Sequence, residues 1–247
     1  MPPIGLDDMK AVRLMNRMDR KYMASSDLLE HLLDRIASSY YVQHIGGDLV
    51  SPYRTLYFDT DDLCMYTMHH NKKLNRQKLR VRTYRSTSTT FFEIKNKDNK
   101  KKTRKVRIPI EASCFDTALE VPEVADFVNG DTPYPVAALH PCLENRFERI
   151  TLVDKGMSER VTIDRNITFH NRATHMDADI SKLMVIEVKH EVGASASDIE
   201  RALHELHVLP RRMSKYCIGT ALTDPAAKRN RFKPKLLYID KLTGNNQ

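Results

Sequence analysis

The feature that most restricts how this chain can fold is a pair of charged alternations, Lys78-Leu-Arg-Val-Arg-Thr-Tyr84 and Phe92-Glu-Ile-Lys-Asn-Lys97, joined by a Ser/Thr-rich turn. Side chains of a strand alternate between two faces, so period two sorts these residues cleanly. Lys78, Arg80, Arg82 and Tyr84 fall on one face, with Leu79 and Val81 on the other; Glu93, Lys95 and Lys97 likewise oppose Phe92 and Ile94. An ordinary half-buried hairpin points such charges at water. Here the charged face recurs at Lys105 and Arg107, at Arg149, at Arg160, Thr162 and Asp164, and at Glu187 and Lys189. Many strands, each with one basic face, predict one shared basic surface.

That surface is either the outside of a sandwich or the inside of a barrel. Two like charges about 7 Å apart repel by about 2 kcal/mol at an effective dielectric near 20, so turning many cations inward requires an anionic guest. A polyanion supplies it. The chain carries 40 Lys+Arg against 32 Asp+Glu, a net charge of +8, which fits anionic partners in general. At 247 residues with no long Gly/Ser/Pro-rich linker, it reads as one domain spanning 1–247, with a core over about 13–221 and a basic C-terminal extension over 222–247. Cys64, Cys114, Cys142 and Cys217 show no CxxC spacing, which fits a reducing compartment and excludes a disulfide framework or zinc motif. The N-terminus lacks a basic segment followed by an apolar one, and no apolar run approaches membrane-span length; the expectation is a soluble, cytoplasmic protein.

Along the chain, Arg17-Met-Asp-Arg-Lys-Tyr-Met23 alternates again, placing Arg17, Asp19 and Lys21 together. Asp27, with Glu30 three residues on, predicts the cap of a helix with Leu28, Leu29, Leu32, Leu33 and Ile36 as its apolar stripe. Tyr53–Phe58 reads as a strand ending at Asp59-Thr-Asp-Asp62, which turns into a short helix through Met65 and Met68. The loop Asp98–Lys102 reads as a solvated turn, and Thr103–Ile110 as the third strand of a meander, with Pro109 near its end. Residues 111–140 predict short helices and loops. Strands follow over Leu143–Val153, Glu159–Phe169 and Met184–His190, then a helix over Ser197–His207 and a last helix opening at Arg211. Lys228–Lys235 reads as part of a solvated tail. About eight antiparallel strands with interspersed helices predict an α+β fold, an eight-stranded barrel whose closure removes exposed edges.

The ordered series Arg17-x-Asp-x-Lys-Tyr22, Tyr57-Phe-Asp-Thr60, Leu79-Arg-x-Arg82, Glu93-Ile-Lys95, Lys105-x-Arg107, Phe147-x-Arg149, Arg160-Val-Thr-Ile-Asp164, Glu187-Val-Lys189 and Ser214-Lys-Tyr216 resembles the VTC domain. That family is named for the vacuolar transporter chaperone complex and belongs to the triphosphate tunnel metalloenzyme, or CYTH-like, superfamily. The resemblance implies an eight-stranded antiparallel tunnel holding a triphosphate or polyphosphate, with Mn²⁺ or Mg²⁺ at the phosphates, and polyphosphate synthesis from ATP. It implies Lys21, Arg80, Arg82, Lys95, Lys105, Arg149, Arg160 and Lys215 as catalytic phosphate-binding cations, with Arg107 and Lys189 as further contacts. Glu187 is the implied metal ligand, and Asp164 and Glu93 are second candidates that also read as neutralisers of neighbouring cations, Glu93 more so than Asp164. Hydrolytic and cyclase members resemble one another in a first-strand Glu-x-Glu-x-Lys, whereas this chain has Arg17-Met-Asp-Arg-Lys21. Losing one carboxylate of that pair removes a means of orienting water, which favours transfer onto phosphate.

Three functions fit: an ATP-dependent polyphosphate polymerase, a tripolyphosphatase or nucleoside triphosphatase of the same fold, and a non-catalytic polyanion binder. Nucleic acid is not the expected partner, because stacking aromatics on the cation face are limited to Tyr84 and Phe147. A membrane partner in trans stays compatible. His69-His70 is a poor metal pair because adjacent residues point apart, and His190 and His207 read as surface or rim positions. No Walker loop, GxGxxG or Ser/His/Asp grouping is present.

Overall fold

The computed structural model describes residues 1–11, 17–100 and 103–244. In chain order they form β1 (Pro3–Ile4), β2 (Arg17–Ser25), α1 (Leu29–Ile36), β3 (Tyr40–Gln43), β4 (Ser51–Asp59), α2 (Cys64–His70), β5 (Arg76–Tyr84), β6 (Thr89–Lys97), β7 (Thr103–Ile110), α3 (Pro122–Asp131), β8 (His140–Asp154), β9 (Glu159–Asn171), β10 (Asp177–Asp179), β11 (Leu183–Glu191), α4 (Asp198–Glu205), α5 (Lys215–Thr223) and α6 (Lys233–Thr243). One sheet runs in the order β2-β11-β9-β8-β4-β5-β6-β7, every step antiparallel. This is the expected eight-strand path. Among the described residues its backbone ladder stays open between β2 and β7, and three short strands, β1, β3 and β10, join it from the side. The expected start of the core at residue 13, and Lys101 and Lys102 of the polar loop, lie outside the described residues.

Alternation decides what each face meets. The outer face is apolar and helix-covered in two patches. Tyr22, Ile150, Leu152, Val161, Ile163, Ile186 and Val188 bury against Leu32 and Ile36 of α1 and Ile199 and Leu203 of α4. Leu56, Phe58, Leu79, Val81, Phe92 and Ile94 bury against Phe115 and α3 residues Val124 and Val128. The inner face is charged at mid-length and apolar toward one end, where Met23, Tyr57, Leu143, Phe169 and Val185 receive Tyr216, Cys217 and Ile218 of α5. That helix lies close against the strands because residue 219 is glycine: a Cβ there would sit 2.6 Å from Leu143 Cδ2.

Several local expectations change. The first helix is preceded by a 3₁₀ turn over Ser26–Leu28, and Ser25 rather than Asp27 caps it, accepting from the Asp27 N–H. The serine precedes the acidic residue, and the turn uses up the residues that the capping pattern assigned to the helix. The helix expected to open at Arg211 is α5, which opens at Lys215 with the Ser214 hydroxyl accepting from Cys217 N, and a further helix, α6, follows it. His190 is no rim residue: it is buried, with its Nδ1 donating to the Glu191 carbonyl at 2.8 Å. Its side chain falls on the outer, helix-covered face, opposite Lys189. The tail is likewise not solvated. Phe232 and Ile239 are buried in the inner core, so the apolar residues scattered among its lysines dock α6 against β2 and β11.

Candidate active site

The inner-face residues lie in register across the strands. Lys78, Lys95 and Lys105 are directly opposed on β5, β6 and β7; beside them Tyr57, Arg80, Glu93 and Arg107 form the next row. On the other half, Lys21, Glu187, Thr162 and Thr151 make one row, and Asp19, Lys189 and Arg160 another. Arg149 and Asp164 share a third. Like charges placed directly opposite each other destabilise a sheet. Three lysines abreast are therefore a cost that structure alone does not explain.

Three carboxylates each hold two cations. Glu187 pairs with Lys21 at 2.8 Å and with Lys189. Asp164 takes both arms of Arg149, Nε to Oδ1 at 2.6 Å and Nη2 to Oδ2 at 2.8 Å, and also pairs with Lys215. Glu93 accepts from Arg80 Nε at 2.7 Å and pairs with Lys105. Burial alone would raise the pKa of each acid, but the cations reverse this: Glu93 is pulled down to about 2, and Asp164 and Glu187 well below the ordinary carboxylate range. Glu187 is the most open of the three, with 18% of its side chain exposed against 5% for Asp164 and 1% for Glu93.

Other cations have no acid within ion-pair distance among the described residues. Arg82 donates from Nε to Thr55 Oγ1 at 3.1 Å, and Lys78 donates to Ser214 Oγ at 2.8 Å. Lys95 has no carboxylate within ion-pair distance among the described residues. Walls of protein lower its pKa to about 8, although its side chain opens to the lumen, and the charges of Lys78, Lys21 and Arg80 add to the effect. Burial similarly lowers Lys215 to about 8, with Asp164 opposing the shift and Arg149 and Lys21 reinforcing it. The segment before α5 bridges the two halves of the open ladder, since Arg211 N donates to the Lys21 carbonyl of β2 at 2.6 Å and Ser214 accepts from Lys78 of β5 at 2.8 Å, so the halves face one another across a lumen.

The sequence-predicted cations Lys21, Arg80, Arg82, Lys95, Lys105, Arg149, Arg160, Lys189 and Lys215 all belong to this lumen. Arg107 lies over the Phe91 ring at 4.2 Å and is exposed. The Arg17 side chain lies outside the described residues. Lys78, Tyr57 and Ser214 were missed as site residues. Lys78 carried the right alternation, whereas Ser214 becomes visible only once α5 is seated. Aromatics on this face were also undercounted: Tyr53 stacks on Phe147 with centroids 5.0 Å apart, and Tyr84 meets Phe91 edge-on at 6.0 Å. Arg149 lies 4.9 Å over Tyr53 and Lys215 Nζ 4.3 Å over Phe147, so these rings support the cations. Of the adjacent histidines, His69 Nε2 meets the Gln77 carbonyl at 3.3 Å and His70 Nε2 meets Asn230 Oδ1 at 2.6 Å.

Arginine forks and lysine point charges lining one lumen are suited to phosphate oxygens in series. As for a divalent cation, no three His, Cys, Asp or Glu side chains converge among the described residues. A hard cation such as Mg²⁺ or Mn²⁺ accepts one or two carboxylates with phosphate oxygens completing its shell, and Glu187 offers such a carboxylate.

The family model for the VTC domain matches residues 16–223. No curated protein sequence matches the chain. Among solved structures, the fold is similar to a candidate adenylate cyclase from Bacillus halodurans, at 17% identity and a TM-score of 0.51, covering 81% of this chain and 94% of that one. It is also similar to a candidate adenylyl cyclase from Hippeastrum described as having a dominant triphosphatase activity, at 13% identity and a TM-score of 0.51, covering 85% and 97%. At these identities the likeness speaks for the fold alone.

Proposed function

Since the chain belongs to the VTC domain family and has the triphosphate tunnel fold, we propose that it is an ATP-dependent polyphosphate polymerase. In this reading the γ-phosphoryl group of ATP passes to the terminal oxygen of a polyphosphate chain. The β–γ bridging P–O bond breaks, a new P–O–P linkage forms, and ADP departs. The acceptor is already anionic near neutral pH, so no base is required, and the protein's task is position and charge.

The observation that carries this choice over hydrolysis is the state of the three lumen acids. Glu93, Asp164 and Glu187 are each held by two cations with depressed pKa values. A carboxylate so stabilised is a weak base for drawing a proton from water. Arg80, Arg82, Arg149 and Arg160 are assigned to the phosphate oxygens as forks. Lys21, Lys78, Lys95, Lys105, Lys189 and Lys215 act as point charges. A divalent ion at Glu187 would supply further charge neutralisation at the phosphates.

The test follows ADP and orthophosphate together during ATP turnover with Mn²⁺ or Mg²⁺. ADP release without matching orthophosphate is expected. Stoichiometric orthophosphate would overturn the polymerase in favour of a triphosphatase, the activity named for the Hippeastrum neighbour.

A further inference from the structure

On the outer face of the sheet, away from the lumen, three arginines close on one carboxylate. Glu144, almost wholly buried, accepts from Arg54 Nε at 2.9 Å and Nη2 at 3.1 Å, from Arg146 Nε at 2.8 Å, and from Arg172 Nη2. Burial would raise the pKa of this acid, but hydrogen bonds from the three arginines pull it down to about 2, so it stays charged as the anchor of the cluster. The Arg54 guanidinium also lies 3.9 Å over the Phe115 ring, which fixes the plane of its fork. Guanidinium groups from β4, from β8 and from the residue after β9 are thereby held around one pair of oxygens.

Glu144 neutralises one of the three charges. The second acid is Asp116, on the segment between β7 and α3. Its Oδ1 lies 2.7 Å from Arg172 Nη2 and 3.3 Å from Arg54 Nη2, yet 52% of its side chain is exposed. Exposed ion pairs of this kind contribute little, so Asp116 fills an anion position between two forks from which it is readily displaced. Donors are left over: Arg172 Nε has no hydrogen-bond partner among the described residues, and Arg146, spending its Nε on Glu144, keeps 67% of its side chain exposed. The three arginines border a groove of about 810 Å³, which Asp177 and Asp179 of β10 also line. Asp177 is already engaged, its Oδ1 meeting His170 Nδ1 at 2.8 Å. An anion is therefore favoured beside the arginines and repelled farther along the groove.

We propose that Arg54, Arg146 and Arg172 form a binding site for a single phosphate group, inorganic or a monoester, which takes the place of the Asp116 carboxylate and is separate from the tunnel. A phosphate dianion matches the two charges that Glu144 leaves, and guanidinium forks pair with its oxygens two at a time. Longer phosphate chains extend toward Asp177 and Asp179 and are disfavoured. The site does not depend on which reaction the lumen performs.

Equilibrium dialysis of the full chain with radiolabelled inorganic phosphate, in the presence of saturating tripolyphosphate, measures what this site retains. One equivalent is expected. Arg172→Ala weakens its binding by at least about tenfold, and so does Arg146→Ala, whose mostly exposed side chain can be removed with little effect on the fold. Asp116→Asn tightens binding by at least about threefold, because a competing charge goes while the side-chain shape stays. Thermal unfolding of each variant checks the fold. AMP as competitor separates the two sources: displacement at concentrations comparable to phosphate shows that a monoester fits, and no displacement assigns the site to inorganic phosphate. Failure of both the wild type and Asp116→Asn to retain phosphate, retention indifferent to both arginine variants, or weaker binding in Asp116→Asn would each overturn the site.

Discussion

Lys78 on β5 donates to the Ser214 hydroxyl at the head of α5 across 2.8 Å, though 136 residues separate them in the chain. The same hydroxyl caps α5 by accepting from Cys217 N at 3.3 Å. One serine thus ties the helix that fills the tunnel end to the row of lysines in its lumen. Lys215, the next residue, reaches Asp164 from that position.

Ser214→Ala removes both contacts. The lost cap costs about 1 kcal/mol, a fall in Tm of about 2–4 °C for a chain of this size, and the half-buried Lys78 ammonium loses its partner in addition. Calorimetric unfolding and tripolyphosphate titration are expected to show lower stability and weaker binding together. A variant unchanged in both would remove Ser214 from the account.

Arg80→Ala, Arg82→Ala and Lys95→Ala each lower turnover by at least about tenfold, since one preorganised charge in a water-poor site is typically worth a few kcal/mol in the transition state. Their stabilities separate. Among the described residues Arg82 and Lys95 have no acid within ion-pair distance, so their removal relieves repulsion and Tm holds or rises. Arg80→Ala instead leaves Glu93, almost wholly buried, with Lys105 as its one remaining ion-pair partner among the described residues, and Tm falls. Identical shifts in all three would contradict the pairing described.

The pH dependence has two opposite signs. Lys95 and Lys215, each near pKa 8 when folded, lose protons before they would in the unfolded chain. Between about 8 and their ordinary value the unfolded state binds more protons, so their contribution to the stability of the free protein rises with pH. Phosphate binding needs the charged ammonium groups, so tripolyphosphate affinity falls across the same window. On the acid side, Glu93 contributes stability that is present above the ordinary carboxylate pKa and lost as pH drops toward about 2. Unfolding midpoints and titrations across pH check both arms; affinity that climbs between pH 8 and 10 would refute the lysine assignment.

Tripolyphosphate raises Tm far more than sulfate at equal concentration, because a ligand bridging several rows of the lumen binds the native state tightly and shifts unfolding by mass action. Equal shifts from both anions would indicate diffuse surface charge.

How far the sequence could be read follows from the kind of information each residue carries. Period two located Lys21, Arg80, Arg149 and Glu187 on one face because strand geometry acts residue by residue. It could not say that β11 lies between β2 and β9, which is what sets Glu187 beside Lys21. Pairing across long separations, such as Lys78 with Ser214, leaves no local trace. Tyr53 and Phe91 were not counted with the cation face, yet they share it with Arg82 and Arg149. In the C-terminal segment a high local charge concealed Phe232 and Ile239, and two buried apolar side chains were enough to dock it.

In the function proposed above, this lumen builds a phosphate polymer from ATP. The measurement that meets it most directly is size-resolved analysis of the products formed from ATP and Mn²⁺, with Glu187→Gln run alongside. Wild-type protein is expected to yield ADP and a ladder of polyphosphate; Glu187→Gln is expected to yield no polymer while keeping much of its tripolyphosphate affinity, since the lumen cations remain. Orthophosphate as the sole phosphate product of the wild type, at every divalent metal tried, would contradict the account.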